Sequence, residues 1–151
     1  MTRILALVLA AFIPLSAVAA EGTPDETEAL VQPVGETELS EFLWRKRPIM
    51  VFADTPADPR FIDQIAMLEA EAGRLLERDV VVLTDTDPAA RSAVRRKLRP
   101  RGFQFVLIAK DGTVALRKPG PLSVREITRT IDKMPMRQRE VEERRAPSVR
   151  D

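Results

Sequence analysis

Unbroken apolar runs and helical periodicities alternate along this chain. Residues 48–53 (Pro-Ile-Met-Val-Phe-Ala) form a short continuous apolar run, the pattern of a strand buried on both faces. Residues 80–84 (Val-Val-Val-Leu-Thr) repeat it, and Phe103 to Ala109 gives a third such strand. Between the first two, Phe61, Ile65, Leu68, Ala72 and Leu75 recur at helical spacing, predicting a helix through about Glu77. Asp58-Pro59 supplies its N-cap and first residue, and Asp87-Pro88 repeats the device before a basic helix running to about Leu98. Asp111-Gly112 signals a hairpin turn, with Thr113 to Arg117 as the returning strand. Pro119-Gly120-Pro121 breaks the chain. Ser123-x-x-Glu126 is a capping box for a helix carrying Val124, Ile127 and Ile131. A short helix is also expected over Thr37 to Trp44, with Leu39, Phe42 and Leu43 on one side and Trp44 stapling it to the sheet.

Strands alternating with helices imply parallel pairing with right-handed crossovers, and the hairpin adds one antiparallel strand at an edge. The expected fold is α/β: a three-layer sandwich around a mixed four-stranded sheet. Its domain spans residues 37–140. Before it, residues 1–20 read as a secretory signal: Arg3, an apolar stretch from Ile4 to Leu15, and an Ala17-x-Ala19 cleavage pattern. That stretch is shorter than the ~20 residues of a membrane span. Residues 21–36 read as an acidic linker, and residues 141–151 as a charged tail, either a frayed helix or disordered. Export to the periplasm or the exterior follows as the expected location.

Composition then narrows the chemistry. The 151 residues include no Cys, no His and no Tyr. Disulfides, thiolate nucleophiles, His-ligated metals and imidazole bases are thereby closed to the chain. No G-x-S-x-G, G-x-G-x-x-G or P-loop pattern occurs, and no cofactor is expected. Lys+Arg number 24 and Asp+Glu 23, so losing Arg3 with the signal brings the net charge to about zero. Near-neutrality after export argues against nucleic acid as a partner.

Several motifs occur together and in order. They are Trp44-Arg45-Lys46-Arg47-Pro48, Phe52-Ala53 with Asp58-Pro59-Arg60, Glu77-Arg78-Asp79-Val80-Val81-Val82, Val106-Leu107-Ile108 with Lys110-Asp111-Gly112, and Met134-Pro135-Met136-Arg137-Gln138-Arg139-Glu140. On them, residues 38 to 140 resemble an uncharacterised bacterial domain family with a thioredoxin-like fold. Its domain type, termed DUDES, also occurs in vertebrate matrix proteins such as equarin and the sushi-repeat proteins. The resemblance implies a thioredoxin-like fold and an extracytoplasmic setting, with no catalytic residues to carry over. A redox member of that fold would hold its cysteine pair where this chain has Asp54-Thr55-Pro56-Ala57-Asp58. Its cis-proline would stand where this chain has Phe103-Gln104.

Two constellations offer function. Asp54, Asp58, Asp85 and Asp87 follow two neighbouring strands, at the edge where open α/β sheets bind ligands. Clustered carboxylates suit a hard cation, or a thiol-independent carboxylate- or metal-dependent enzyme. Equally, Asp58 and Asp87 suit N-caps and the other two suit loop turns. The second is the basic helix: seven basic residues and no acidic one lie between Asp87 and Asp111. Arg91, Arg95 and Arg99, at i, i+4 and i+8, would share one face, either simply solvated or docking an acidic protein, an anionic glycan or lipid headgroups. A non-catalytic binding module of the cell envelope is the leading expectation, with no transmembrane span in its processed form.

Overall fold

The computed structural model describes residues 29–146. The residues read as a signal, the first part of those read as a linker and the last of those read as a tail lie outside them. The apolar run at 48–53 becomes the central strand because every residue in it finds a covered environment. With β1 the strand Val31–Pro33, this run is β2 (Arg47–Phe52), buried along its whole length. Helices α1 (Pro59–Ala70) and α2 (Ala72–Leu76) follow, then β3 (Val80–Asp85), α3 (Ala93–Leu98), the hairpin β4 (Gln104–Ile108) and β5 (Val114–Lys118), and helices α4 (Val124–Asp132) and α5 (Pro135–Arg145).

The sheet has five strands in the order β1-β3-β2-β4-β5. Alternation along β2 builds two cores. Ile49 and Val51 face Leu68, Leu75, Ile127 and Ile131 on α1, α2 and α4. Met50 and Phe52 face Leu39, Val94 and Leu98 on the other side. The result is the expected three-layer sandwich.

Five features depart from the sequence reading. A fifth strand, β1, pairs parallel with β3 from within the residues read as linker; three residues carry too little pattern to announce a strand. β4 runs antiparallel to β2, where a parallel third strand was expected. The connection explains it: α3 has six residues, about 9 Å of helix against about 20 Å of strand, so the chain re-enters the sheet near the end it left. The long helix expected through Glu77 breaks at Glu71, whose backbone leaves helical geometry two residues before Gly73. The helix expected over Thr37 to Trp44 is a single 3-10 turn, Leu39–Phe42. Finally, helix α5 continues to Arg145, into residues read as tail.

Trp44 does not staple that turn to the sheet. It is 65% exposed and holds a left-handed backbone (φ 64°), so its ring projects away from the core. Gly112, at the hairpin turn, has φ +86°, and a Cβ there would stand 2.9 Å from Leu43 Cδ2. Only glycine fits both conditions.

Candidate functional site

At the C-terminal edge of β2 and β3, the four aspartates do not assemble into one site. Asp58 caps α1, accepting from the Arg60 amide at 2.9 Å, and also pairs with the Arg60 side chain at 2.8 Å. Asp87 caps the 3-10 turn Pro88–Ala90 through the Ala89 amide at 3.1 Å. Both therefore act as the N-caps their following prolines suggest. Asp85 is buried at the end of β3 rather than in a loop turn, and Asp54 is exposed. Among the described residues, no group of three or more His, Cys, Asp or Glu is placed to hold a metal ion.

The basic helix is also rearranged. It divides into the 3-10 turn Pro88–Ala90 and α3, with Ser92 as the N-cap of the latter. Arg91 and Arg99 both lie in left-handed conformation, each just past the end of one of these elements. Arg91, Arg95 and Arg99 consequently do not share a helical face. Arg91 and Arg99 are exposed, but Arg95 turns inward, its side chain 11% exposed.

There Arg95 closes the sheet edge. Its guanidinium donates to Asp85 Oδ1 at 2.8 and 3.1 Å, to the Asp85 carbonyl at 3.0 Å and to the Ala53 carbonyl at 3.1 Å. It also lies over the Phe52 ring at 5.3 Å. Ser92 Oγ donates to the other Asp85 oxygen at 2.6 Å. Burial favours the neutral acid at Asp85, but the hydrogen bonds from Arg95 and Ser92 outweigh it and hold the carboxyl below its usual range. The ends of β2 and β3 are thus tied together where a redox relative would expose its thiols. Beside them Arg60 stacks over buried Phe103 at 5.4 Å.

A second charged centre lies at the opposite edge, where β2 begins. Arg47 is fully buried, at the head of a wholly covered strand. Its guanidinium donates to Glu140 on α5 at 3.0 and 3.3 Å and to the Arg78 carbonyl at 2.9 Å. Lys110, after β4, reaches both Glu140 and Asp79 at 2.8 Å. Arg137 donates to the Glu77 carbonyl at 3.2 Å, and Arg78 grips Asp132 with two bonds at 2.8 and 2.9 Å. Burial disfavours the charge on Glu140, yet the bonds and charges of Arg47 and Lys110 prevail and hold its carboxyl at about 2.

Above this network opens a cleft of about 380 Å³. Arg47 and Lys110 contribute to its lining, with Arg139 beside them. Ala109, Asp111, Thr113 and Ala115 of the β4–β5 hairpin form one wall, and Met134, Pro135 and Met136 at the start of α5 form the other. Exposed Leu43, Trp44 and Val114 surround the hairpin turn, Trp44 through a backbone bond to the Lys110 carbonyl at 2.7 Å.

Sequence reasoning assigned no site role to Arg47, Lys110, Glu140 or Arg137. For Arg47 and Lys110 the available signal was position, since ionisable residues flanking runs of fully apolar strand are forced into or against the core; Arg137 and Glu140, within α5, carry no such mark. All four lie in the motif segments 44–48, 106–112 and 134–140.

Residues 38–140 match the family described as Domain of unknown function (DUF4174). No curated protein matches the chain. Among solved structures, the reduced 2-Cys peroxiredoxin of Plasmodium vivax is similar with a TM-score of 0.53 at 19% identity, over 68% of this chain and 84% of that one. Thioredoxin peroxidase I of Plasmodium yoelii gives 0.50 at 20% identity, over 75% and 85%. At such identities the likeness shows the fold alone, and that fold is thioredoxin-like.

Proposed function

For a chain that belongs to the DUF4174 family, a domain of unknown function, we propose the role of an exported, non-catalytic binding module built on a thioredoxin-like scaffold. With no cysteine anywhere in the chain, thiol–disulfide exchange is closed to it. The observation that carries the reading is the cleft above Arg47 and Lys110, a concave site with largely apolar walls and a floor of ion-paired side chains, on the edge away from the redox position. Its lining draws on three motif segments far apart in sequence, 44–48, 106–112 and 134–140, and the exposed Leu43 and Trp44 stand at the neighbouring hairpin turn as apolar surface suited to a partner. The cell envelope is the proposed setting, on the strength of the signal-like residues 1–20.

The exposed Arg91 and Arg99 remain a separate electrostatic surface for an acidic partner. A pull-down from envelope extract compares wild type, Ala115→Trp, which fills the cleft, and Arg91→Glu/Arg99→Glu. Loss of partners in Ala115→Trp alone supports the cleft. Loss in the double arginine variant alone transfers the role to the basic surface, and unchanged partners in both overturn the reading.

A further inference from the structure

The spacing that fails on α3 holds on α4. Arg125, Arg129 and Lys133 stand at i, i+4 and i+8, and this helix is continuous, with Lys133 still in right-handed helical geometry at its cap. All three are exposed, and that spacing puts them on one face. They line a groove of about 350 Å³ with Thr128, Asp132 and, from α2, Arg74, whose guanidinium donates to Thr128 Oγ1 at 3.4 Å. Among the described residues no carboxylate forms an ion pair with Arg125, Arg129 or Lys133. The carboxylates nearby are engaged. Glu71 holds Arg74, Asp132 holds Arg78 with Arg137 at 3.7 Å, and Glu77 reaches Arg78 at 3.7 Å. Glu126 accepts from Ser123 at the helix cap and feels the charges of Lys118 and Arg129. Six cations (Arg74, Arg78, Arg125, Arg129, Lys133 and Arg137) thus face four carboxylates (Glu71, Glu77, Glu126 and Asp132). Adding the adjoining network, Arg47 and Lys110 with Glu140 and Asp79, leaves that positive excess unchanged.

The chain itself supplies the counter-charge. Of its 24 Lys+Arg, the described residues hold all but Arg3 and Arg150; of its 23 Asp+Glu, they hold all but Glu21, Asp25, Glu26, Glu28 and Asp151. The described domain is therefore positive. Four of the remaining carboxylates stand together in residues 21–28, which contain no basic residue. That segment joins the domain beside the groove. Leu30 belongs to the core that α1, α2 and α4 cover, with Leu75, Ile127 and Ile131, and its carbonyl accepts from the Val82 amide of β3 at 2.7 Å. Helix α2 packs against both β3 and α4. Eight residues at ~3.3 Å each reach up to about 26 Å, and a helix is about 10 Å across, so residues 21–28 are long enough to pass α2 and lie along α4. Tethering also gives them an effective concentration on the order of millimolar, ahead of a free acidic competitor.

We propose that residues 21–28 fold back across α2 and seat their carboxylates along Arg125, Arg129 and Lys133 in the α2–α4 groove, forming an electrostatic latch within the chain. Exposed ion pairs are individually weak, so the latch depends on several acting together and yields to salt. While closed it covers the one basic stripe that α4 would offer an acidic partner, and opening it bares that stripe. The latch lies on a different face from the cleft and does not rest on the cleft's role.

The test is paramagnetic broadening from a nitroxide on Thr23→Cys, the only thiol in an otherwise cysteine-free chain. Amide spectra of the purified protein are recorded at about 0.05 M salt, where the Debye length exceeds 10 Å, and at about 1 M, where it falls to about 3 Å. The expected result is broadening of the Arg125, Arg129 and Lys133 amides at low salt, several-fold stronger than at Arg96 and Lys97 on α3, and its loss at high salt. It should also be lost in Arg125→Glu/Arg129→Glu and kept in Arg96→Gln/Lys97→Gln. Asp25→Asn/Glu26→Gln/Glu28→Gln, which leaves the folded domain untouched, should abolish it too, so a folding defect in the arginine variant cannot decide the outcome. Broadening centred on Arg96, Lys97 and Arg99 would overturn the proposal in favour of the α3 surface. Broadening spread evenly, absent from α4, or unchanged by high salt or by the carboxylate substitutions would overturn it outright.

Discussion

Glu140, on the closing helix, hydrogen-bonds Arg47, at the head of the central strand 93 residues earlier, through two contacts of 3.0 and 3.3 Å. The pair clamps the last helix to the first apolar strand of the sandwich. It also sets the floor of the cleft, so one interaction serves both fold and site.

Removing one partner should therefore be costly. Glu140→Ala leaves a buried guanidinium uncompensated and should destabilise the protein by about 3 kcal/mol or more. Replacing both partners, as in Arg47→Met/Glu140→Leu, should recover part of that loss, because the buried guanidinium is gone and Lys110 keeps Asp79 as a partner. Urea unfolding midpoints of the two variants decide it, and equal destabilisation of both would count against the clamp.

Acid should release the same clamp. The Glu140 carboxyl ionises at about 2 in the folded protein against an ordinary 4.5, so the unfolded chain binds more protons between those values. Its contribution is present in full above 4.5 and is lost as pH falls toward 2. Asp85 and Asp132, also depressed, act in the same direction. The stability gap between wild type and Glu140→Ala, measured in urea at successive pH values, should narrow on acidification. A constant gap would contradict the assignment.

The Arg95–Asp85 tie at the other edge should be structural. Asp85→Asn is expected to cost about 2 kcal/mol, as charge-assisted bonds to Arg95 weaken. Ser92→Ala, removing the α3 cap and a bond to Asp85, should cost about 1 kcal/mol. Envelope partners captured by the folded Asp85→Asn variant should match those of wild type.

Trp44→Ala should change stability by no more than about 0.5 kcal/mol, since the ring is largely exposed. A loss of 3 kcal/mol would restore the stapling role read from the sequence. Gly112→Ala, by contrast, should cost at least about 1 kcal/mol for its positive φ and the contact with Leu43.

The layers of the fold were legible because burial leaves a local record. The runs at 48–53 and 80–84, the Asp111-Gly112 turn and the Ser123–Glu126 box each carry their reason within a few residues. What was missed depends on distance. The i, i+4, i+8 spacing of Arg91, Arg95 and Arg99 assumed one continuous helix, and Ser92, a better cap than helix interior, divides it. Arg95 follows Asp85 inward because a buried carboxylate demands a partner, and helical spacing holds no trace of that demand. Arg47 and Glu140 meet only through the sheet and α5 together, so their pairing has no local signature. The motif segments marked the right residues without assigning them to one place.

The most direct measurement is amide shift mapping of isotope-labelled protein on addition of envelope extract. A binding role centred on the cleft predicts changes at Ala109, Thr113, Ala115 and Met136, with Asp54, Asp85 and Asp87 unmoved. Changes confined to Asp54, Asp85 and Asp87, with the cleft silent, would contradict it.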